Sequence, residues 1–145
     1  MTYARMGSFH QVRLHRGEDV VEQIVEYVRR RRLGSGVITG IGAADRVVLG
    51  LFDPEKKDYV KQEFTGDWEI VSLMGNVARA DREPVCHLHA VIADREQNCR
   101  GGHLYAARVS VTCELTVQPG DRIVSREEDP ETGLKLLALP FSDDD

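Results

Sequence analysis

The sequence predicts an α/β protein of the α+β type: a mostly antiparallel β-sheet with one main α-helix packed on it, in a single domain. Three observations lead there. Only one stretch, just after Gly17, carries apolar residues at helical spacing. Nearly every other segment reads as a β-rich run bounded by glycine, proline or aspartate. The length, 145 residues, suits one core and not two. A domain of this size buries roughly two thirds of its unfolded surface, so it needs neither disulfide nor structural metal, and any metal is free to be functional.

The helix comes first. Val21, Ile24, Val25 and Val28 recur on one face, with Glu18, Asp19 and Glu22 early and Arg29 to Arg32 late, the order a helix dipole favours. Gly34 and Gly36 supply a C-cap and exit, ending the helix near Leu33. Val37-Ile38-Thr39 and Val47 to Phe52 follow as strands split by Gly40, Gly42 and two alanines, and Asp53-Pro54 closes the second with a turn. Tyr59 to Thr65 and Trp68 to Met74 then form a hairpin around Gly66-Asp67. Val85 to Ala93 and His103 to Val117 are the longest β runs, joined by the polar loop Asp94 to Gly102. A core spans about 8–117. The extension 118–141 adds an edge strand through Leu134 to Leu139, and 142–145 is a solvated, frayed acidic tail. One helix cannot cover both faces of a sheet of six or so strands, and the apolar face left over predicts self-association.

Charge narrows the function. Nineteen Lys and Arg against twenty-four Asp and Glu give a net charge of -5. That balance argues against a protein that tracks phosphates with a wholly basic surface. The one dense basic run, Arg29 to Arg32, has no interleaved aromatics for base stacking and is accounted for by its place at a helix end. Cys86, Cys99 and Cys113 form no CxxC, and Met1 to Phe9 lacks the apolar run of a signal peptide, so a reducing, cytoplasmic compartment is expected. No stretch approaches the ~18 apolar residues of a membrane helix, and no membrane partner is expected.

The chemistry concentrates in Val85-Cys86-His87-Leu88-His89-Ala90-Val91 and, across the loop, Gly101-Gly102-His103-Leu104-Tyr105. Residues two apart on a strand share a face, so His87 and His89 project side by side about 6.5 to 7 Å apart at Cα. A hairpin turning near Gln97 places His103 within about one register step of His89 and on the same face. Three neutral imidazoles with a fourth position open suit a divalent metal, zinc first, with iron, nickel and copper as alternatives. His103 continues as Tyr105, Ala107, Val109, Val111, Cys113, Leu115 and Val117, an apolar row in which clustered imidazoles need partners. The competing reading is three ordinary histidines satisfied by backbone or carboxylates. Gly101-Gly102 reads as a bulge before it reads as a close backbone approach. Glu69 and Glu114 are acids within strands, each able to orient a ligating imidazole or act as general base on a bound water, or simply to face solvent. Cys86 and Cys113 read as buried inert thiols, and His10 and His15 as surface residues.

Together Leu14-His15-Arg16-Gly17-Glu18-Asp19, Gly34-Ser35-Gly36, Gly40-Ile41-Gly42, Glu69-Ile70-Val71-Ser72-Leu73-Met74-Gly75-Asn76, His87-Leu88-His89 and Gly101-Gly102-His103 resemble the PPC domain, the plant and prokaryote conserved domain, from about Ser8 to Val117. The resemblance implies an antiparallel sheet with one main helix, trimeric assembly, and a match of His87, His89 and His103 to histidines that hold metal in some prokaryotic members. In plants the domain is joined to an AT-hook in nuclear regulators of transcription. Arg16-Gly17-Glu18 and Arg100-Gly101-Gly102 do not match that hook, which disfavours direct nucleic-acid binding. The expected function is thus a metal-binding homotrimer with a three-histidine site, open to a small-molecule ligand and without an assigned activity. An enzyme of this kind would be a metal-dependent hydrolase or lyase on a small substrate, with Glu69 or Glu114 as acid or base. The alternative is a DNA-associated regulatory or oligomerisation module lacking an AT-hook.

Overall fold

The structure, a computed structural model, describes residues 1–139. In chain order its elements are β1 (Thr2–Met6), β2 (Phe9–His15), α1 (Val20–Arg31), β3 (Gly36–Asp53), β4 (Asp58–Ala80), β5 (Glu83–Ala93), β6 (Cys99–Pro119), β7 (Ser125–Glu128) and β8 (Lys135–Ala138). The predicted class holds: a mostly antiparallel sheet with one short helix. The predicted acidic tail, 142–145, lies outside the described residues.

Asp19 starts the helix. Its backbone is extended, and its Oδ1 accepts from the amides of Val21 and Glu22 at 2.9 and 3.1 Å. Its Oδ2 accepts from the amide of Ala107 at 3.1 Å, so one carboxylate both caps α1 and ties it to β6. The helix ends at Arg32, which adopts the left-handed conformation (φ 53°) and donates its amide back to Val28 and Arg29, so the expected glycine cap is replaced by an arginine two residues earlier. The buried stripe is Val20, Ile24, Tyr27 and Val28. Val21 and Val25, read from the sequence as part of that stripe, flank it half-buried.

The strands are longer than the sequence runs suggest. The two runs expected between 37 and 52 are one strand, β3, with irregularities between Gly40 and Gly42 and between Ala44 and Arg46. The hairpin expected at Gly66-Asp67 does not form. Ala44 pairs with Trp68 and Arg46 with Thr65, so those two residues make a bulge within the unbroken β4, and Gly66 takes the positive φ (108°) that the distortion requires. The chain reverses instead between Asp53 and Asp58, as Asp53-Pro54 signalled.

β3 pairs with β4 and β6, and β5 pairs with both β4 and β6, all antiparallel, so the circuit β3-β4-β5-β6 closes on itself. β2 extends the edge of β6 and β1 follows it. Beyond Pro119, β7 joins β4 in parallel at Arg79 and Ser125 and pairs with β8, so the expected edge strand is a two-strand hairpin. Helix α1 packs over β5 and β6 on the face carrying Leu88, Ile92, Leu104 and Val109, where the core lies. No helix among the described residues is long and apolar enough to cross a membrane.

The N-terminal histidines depart from expectation. His10 is 5% exposed, with its Nδ1 hydrogen-bonded to the hydroxyl of the buried Tyr27, and is therefore a core polar pair and not a surface residue. His15 is half-buried.

Candidate metal centre

On β5 the side chains alternate. Leu88, Ala90 and Ile92 enter the core while His87 and His89 point the other way. The loop joining β5 to β6 is shorter than expected, since Ala93 already pairs with Cys99. The turn is pinned by Asp94, whose side chain accepts from the amides of Glu96 and Asn98, and by Gln97 at φ 65°. From it the register runs without a shift through Ile92 with Arg100, Val91 with Gly101 and Ala90 with Gly102 to His89 with His103. The expected bulge at Gly101-Gly102 is therefore absent. Gly102 serves the other purpose: a Cβ there would stand 2.7 Å from the carbonyl oxygen of Gly50, so the glycine lets β3 close against β6.

The three imidazoles converge. Ring centroids are 5.0 Å apart for His87 and His89, 5.1 Å for His87 and His103, and 5.5 Å for His89 and His103. One nitrogen from each lies within 4.8 Å of the others. Ligation of a tetrahedral ion asks for nitrogens about 3.4 Å apart, a gap that modest side-chain rotation closes. His87 and His103 are half-buried, His89 exposed. The Nδ1 of His103 is buried without a hydrogen-bond partner, an orphan that a metal ion would satisfy. Burial first, then His87, His89, Lys61 and Arg126, push the His103 pKa down to about 4. Burial and Arg126 also lower that of His87. At neutral pH His103 is thus the neutral imidazole that ligation needs. The donor set fits a divalent cation.

The apolar row expected on the face of His103 is not there. Val48 pairs with Ala106 and Leu49 with Leu104, leaving Tyr105 as an extra residue in β6. That bulge exchanges the faces: Leu104 is buried before it, Ala107 and Val109 after it. His103 consequently faces away from the core and meets Tyr105 at 4.7 Å and Tyr59 at 5.1 Å between centroids, with the Lys61 ammonium 3.9 Å above the Tyr105 ring. Sequence reasoning missed Tyr59, Lys61 and Arg126, which reach the site only through long-range pairing.

Glu69 and Glu114 do not join the histidines within the chain. Glu69 pairs with Ala93, about 13 Å along β5 from His89, and Glu114 lies far along β6 opposite Arg13 and Ile41. Both line a separate depression of about 550 Å³ with Ile41, Val71 and Val111. Cys113 is buried and Cys86 half-buried, each thiol pushed up to about 12 by burial, which agrees with inert packing groups.

The family model of the Plants and Prokaryotes Conserved (PCC) domain, the PPC family under its other abbreviation, matches residues 1–121. The chain belongs to that family. Two solved structures lie close to this PCC protein. A metal-containing protein of Archaeoglobus fulgidus is 38% identical, with 93% of this chain and 96% of that one covered at a TM-score of 0.85. A protein of Bacteroides thetaiotaomicron, to which DNA binding has been provisionally ascribed, is 26% identical, with 94% and 96% covered at a TM-score of 0.92. Among curated proteins, the bifunctional protein GlmU of a Synechococcus strain is 28% identical over 139 residues, covering 93% of the PCC chain. The chain spans only 21% of the length of that relative.

Proposed function

We propose that this PCC protein is a metal-binding homotrimer in which His87, His89 and His103 hold a divalent ion, zinc first, and leave one coordination position to water or a small ligand. The convergence of three imidazole nitrogens within 4.8 Å, one residue carrying an orphaned buried nitrogen, supports this reading. The metal-containing nature of the Archaeoglobus relative supports it as well. Bound there, the ion would act as a Lewis acid toward a small ligand. Metal-assisted hydrolysis or lyase chemistry is the class to screen. Because Glu69 and Glu114 are remote within one chain, they act as acid or base only if a neighbouring copy carries them to the histidines.

Self-association rests on the face opposite the core, where Val37, Ile41, Val71, Met74 and Val111 are each more than half exposed. Metal per chain, measured by elemental analysis on wild type and His103→Ala from the same size-exclusion column, tests the centre. Close to one ion per chain, lost in the variant with the oligomer intact, is expected. No metal in either protein overturns the reading.

The DNA binding ascribed to the Bacteroides relative favours a second reading, a DNA-associated module. Against it, Glu26 is ion-paired to Arg29 and Arg30, and Glu83 to Arg29, within the one dense basic run. Binding to an AT-rich duplex that weakens steeply with salt would favour it, and no binding at low salt would dismiss it.

A further inference from the structure

Arg126 stands beside the histidine site and comes from a part of the chain beyond the family match, which ends at residue 121. β7 joins β4 at Ser125, and the next residue reaches across it. The Arg126 guanidinium donates from one terminal nitrogen to Asn76 Oδ1 at 2.7 Å and from the other to the Lys135 carbonyl at 2.8 Å. Asn76 is the strand partner of His87. These bonds anchor the guanidinium and leave three of its five N–H donors over, including an Nε that is buried without a partner. On the other side, the rings of Tyr59 and Tyr105 wall His103.

The charges that weigh on His103, besides the other two histidines, are those of Lys61 and Arg126, and Arg126 weighs on His87 too. A divalent ion on three neutral imidazoles keeps its full charge, and here it would sit among further positive groups. Such a cluster is stable once an anion is shared among its members. A guanidinium held in place by two bonds still has a free N–H on each terminal nitrogen, enough to take one oxygen of a carboxylate whose other oxygen is on the metal.

We propose that the site receives a small carboxylate, one oxygen on the metal and the other on the Arg126 guanidinium, with its carbon end toward Tyr59 and Tyr105. This rests on the metal reading above. It makes Arg126 a binding residue contributed by the C-terminal hairpin.

The test uses the full chain loaded with cobalt(II), titrated with acetate and followed by visible absorption and calorimetry. Acetamide serves as the neutral isostere and inorganic phosphate as the rival oxyanion. Acetate is expected to change the cobalt spectrum and acetamide to leave it unchanged. Arg126→Gln, with wild-type cobalt content and melting temperature, is expected to bind acetate about tenfold more weakly, the worth of one charge-assisted hydrogen bond. Arg126→Lys keeps the charge and gives up the planar group that Asn76 and the Lys135 carbonyl hold in place. It is expected to lose about threefold or more, and it decides the matter if Arg126→Gln fails to fold. Equal acetate affinity in wild type and a folded, cobalt-loaded variant overturns the proposal, as does phosphate binding far more tightly than acetate. Absence of cobalt uptake by wild type is a different failure: it removes the metal reading, and this one with it.

Discussion

His89 and His103 are direct antiparallel partners on β5 and β6, and on its other side His103 pairs with Gly50 of β3. His103 is therefore the residue at which β6, leaving β5, is held by two strands at once. Two neighbouring strands fix its backbone, and the geometry of the candidate centre depends on how closely they approach β6. Predictions about the site are for that reason largely predictions about backbone fit.

Gly75 lies on β4 opposite Leu88, beside the histidine pair. A Cβ there would stand 2.1 Å from the His87 carbonyl oxygen and 2.7 Å from Leu88 Cδ2. Gly75→Ala is expected to cost about 2–4 kcal/mol, because backbone cannot give way as a flexible side chain does. Gly101→Ala is the control, since its nearest neighbour would be an ordinary 3.4 Å away. Urea unfolding of both variants checks the pair. An unaltered midpoint for Gly75→Ala contradicts the close approach of β4 and β5 at His87.

Removal of the Asp19 carboxylate takes away the helix cap and the strap to Ala107 together. Asp19→Ala should lose about 1–3 kcal/mol, more than an isolated cap, and Asp19→Asn less, since an amide oxygen still accepts. Chemical denaturation of the two variants gives the comparison.

His10 gives a pH dependence independent of the metal centre. Burial, then Arg31 and Arg5, lower its pKa below the ordinary 6.5. The unfolded chain therefore binds a proton at higher pH than the folded one does. The stability this residue contributes is complete above pH 6.5 and is lost as pH falls from there through the lowered folded value. A proton NMR titration should place the His10 midpoint below 6.5, and a midpoint at or above it contradicts the burial argument. Tyr27→Phe, which removes the hydroxyl partner of His10, should destabilise the protein by about 1–3 kcal/mol.

The thiols should separate cleanly. Cys99 is exposed, whereas Cys86 and Cys113 are held near 12 by burial. Alkylation of the native chain at pH 8, read by mass spectrometry, is expected to modify Cys99 rapidly and the other two only after unfolding. Equal labelling of all three would contradict the packing of β5 and β6.

The amino-acid order by itself determined the helix after Gly17, the β-rich character of nearly everything else, the turn at Asp53-Pro54 and the meeting of His87, His89 and His103. These rest on local rules: alternation along a strand is covalent geometry, and across a short hairpin it survives intact from His89 to His103. Tertiary structure decided what lies beyond the first irregularity. A bulge of one extra residue exchanges the faces of the strand beyond it, so Tyr105 turned Ala107 and Val109 into the core while His103 stayed outside it. Gly66-Asp67 likewise distorted a strand where the sequence alone read a turn. The closure of the sheet through β5, the burial of His10 against Tyr27 and the arrival of Arg126 beside His87 and His103 bring together residues distant along the chain. No local period encodes such meetings, because they are set by which strand edges and apolar faces the whole fold leaves to be paired.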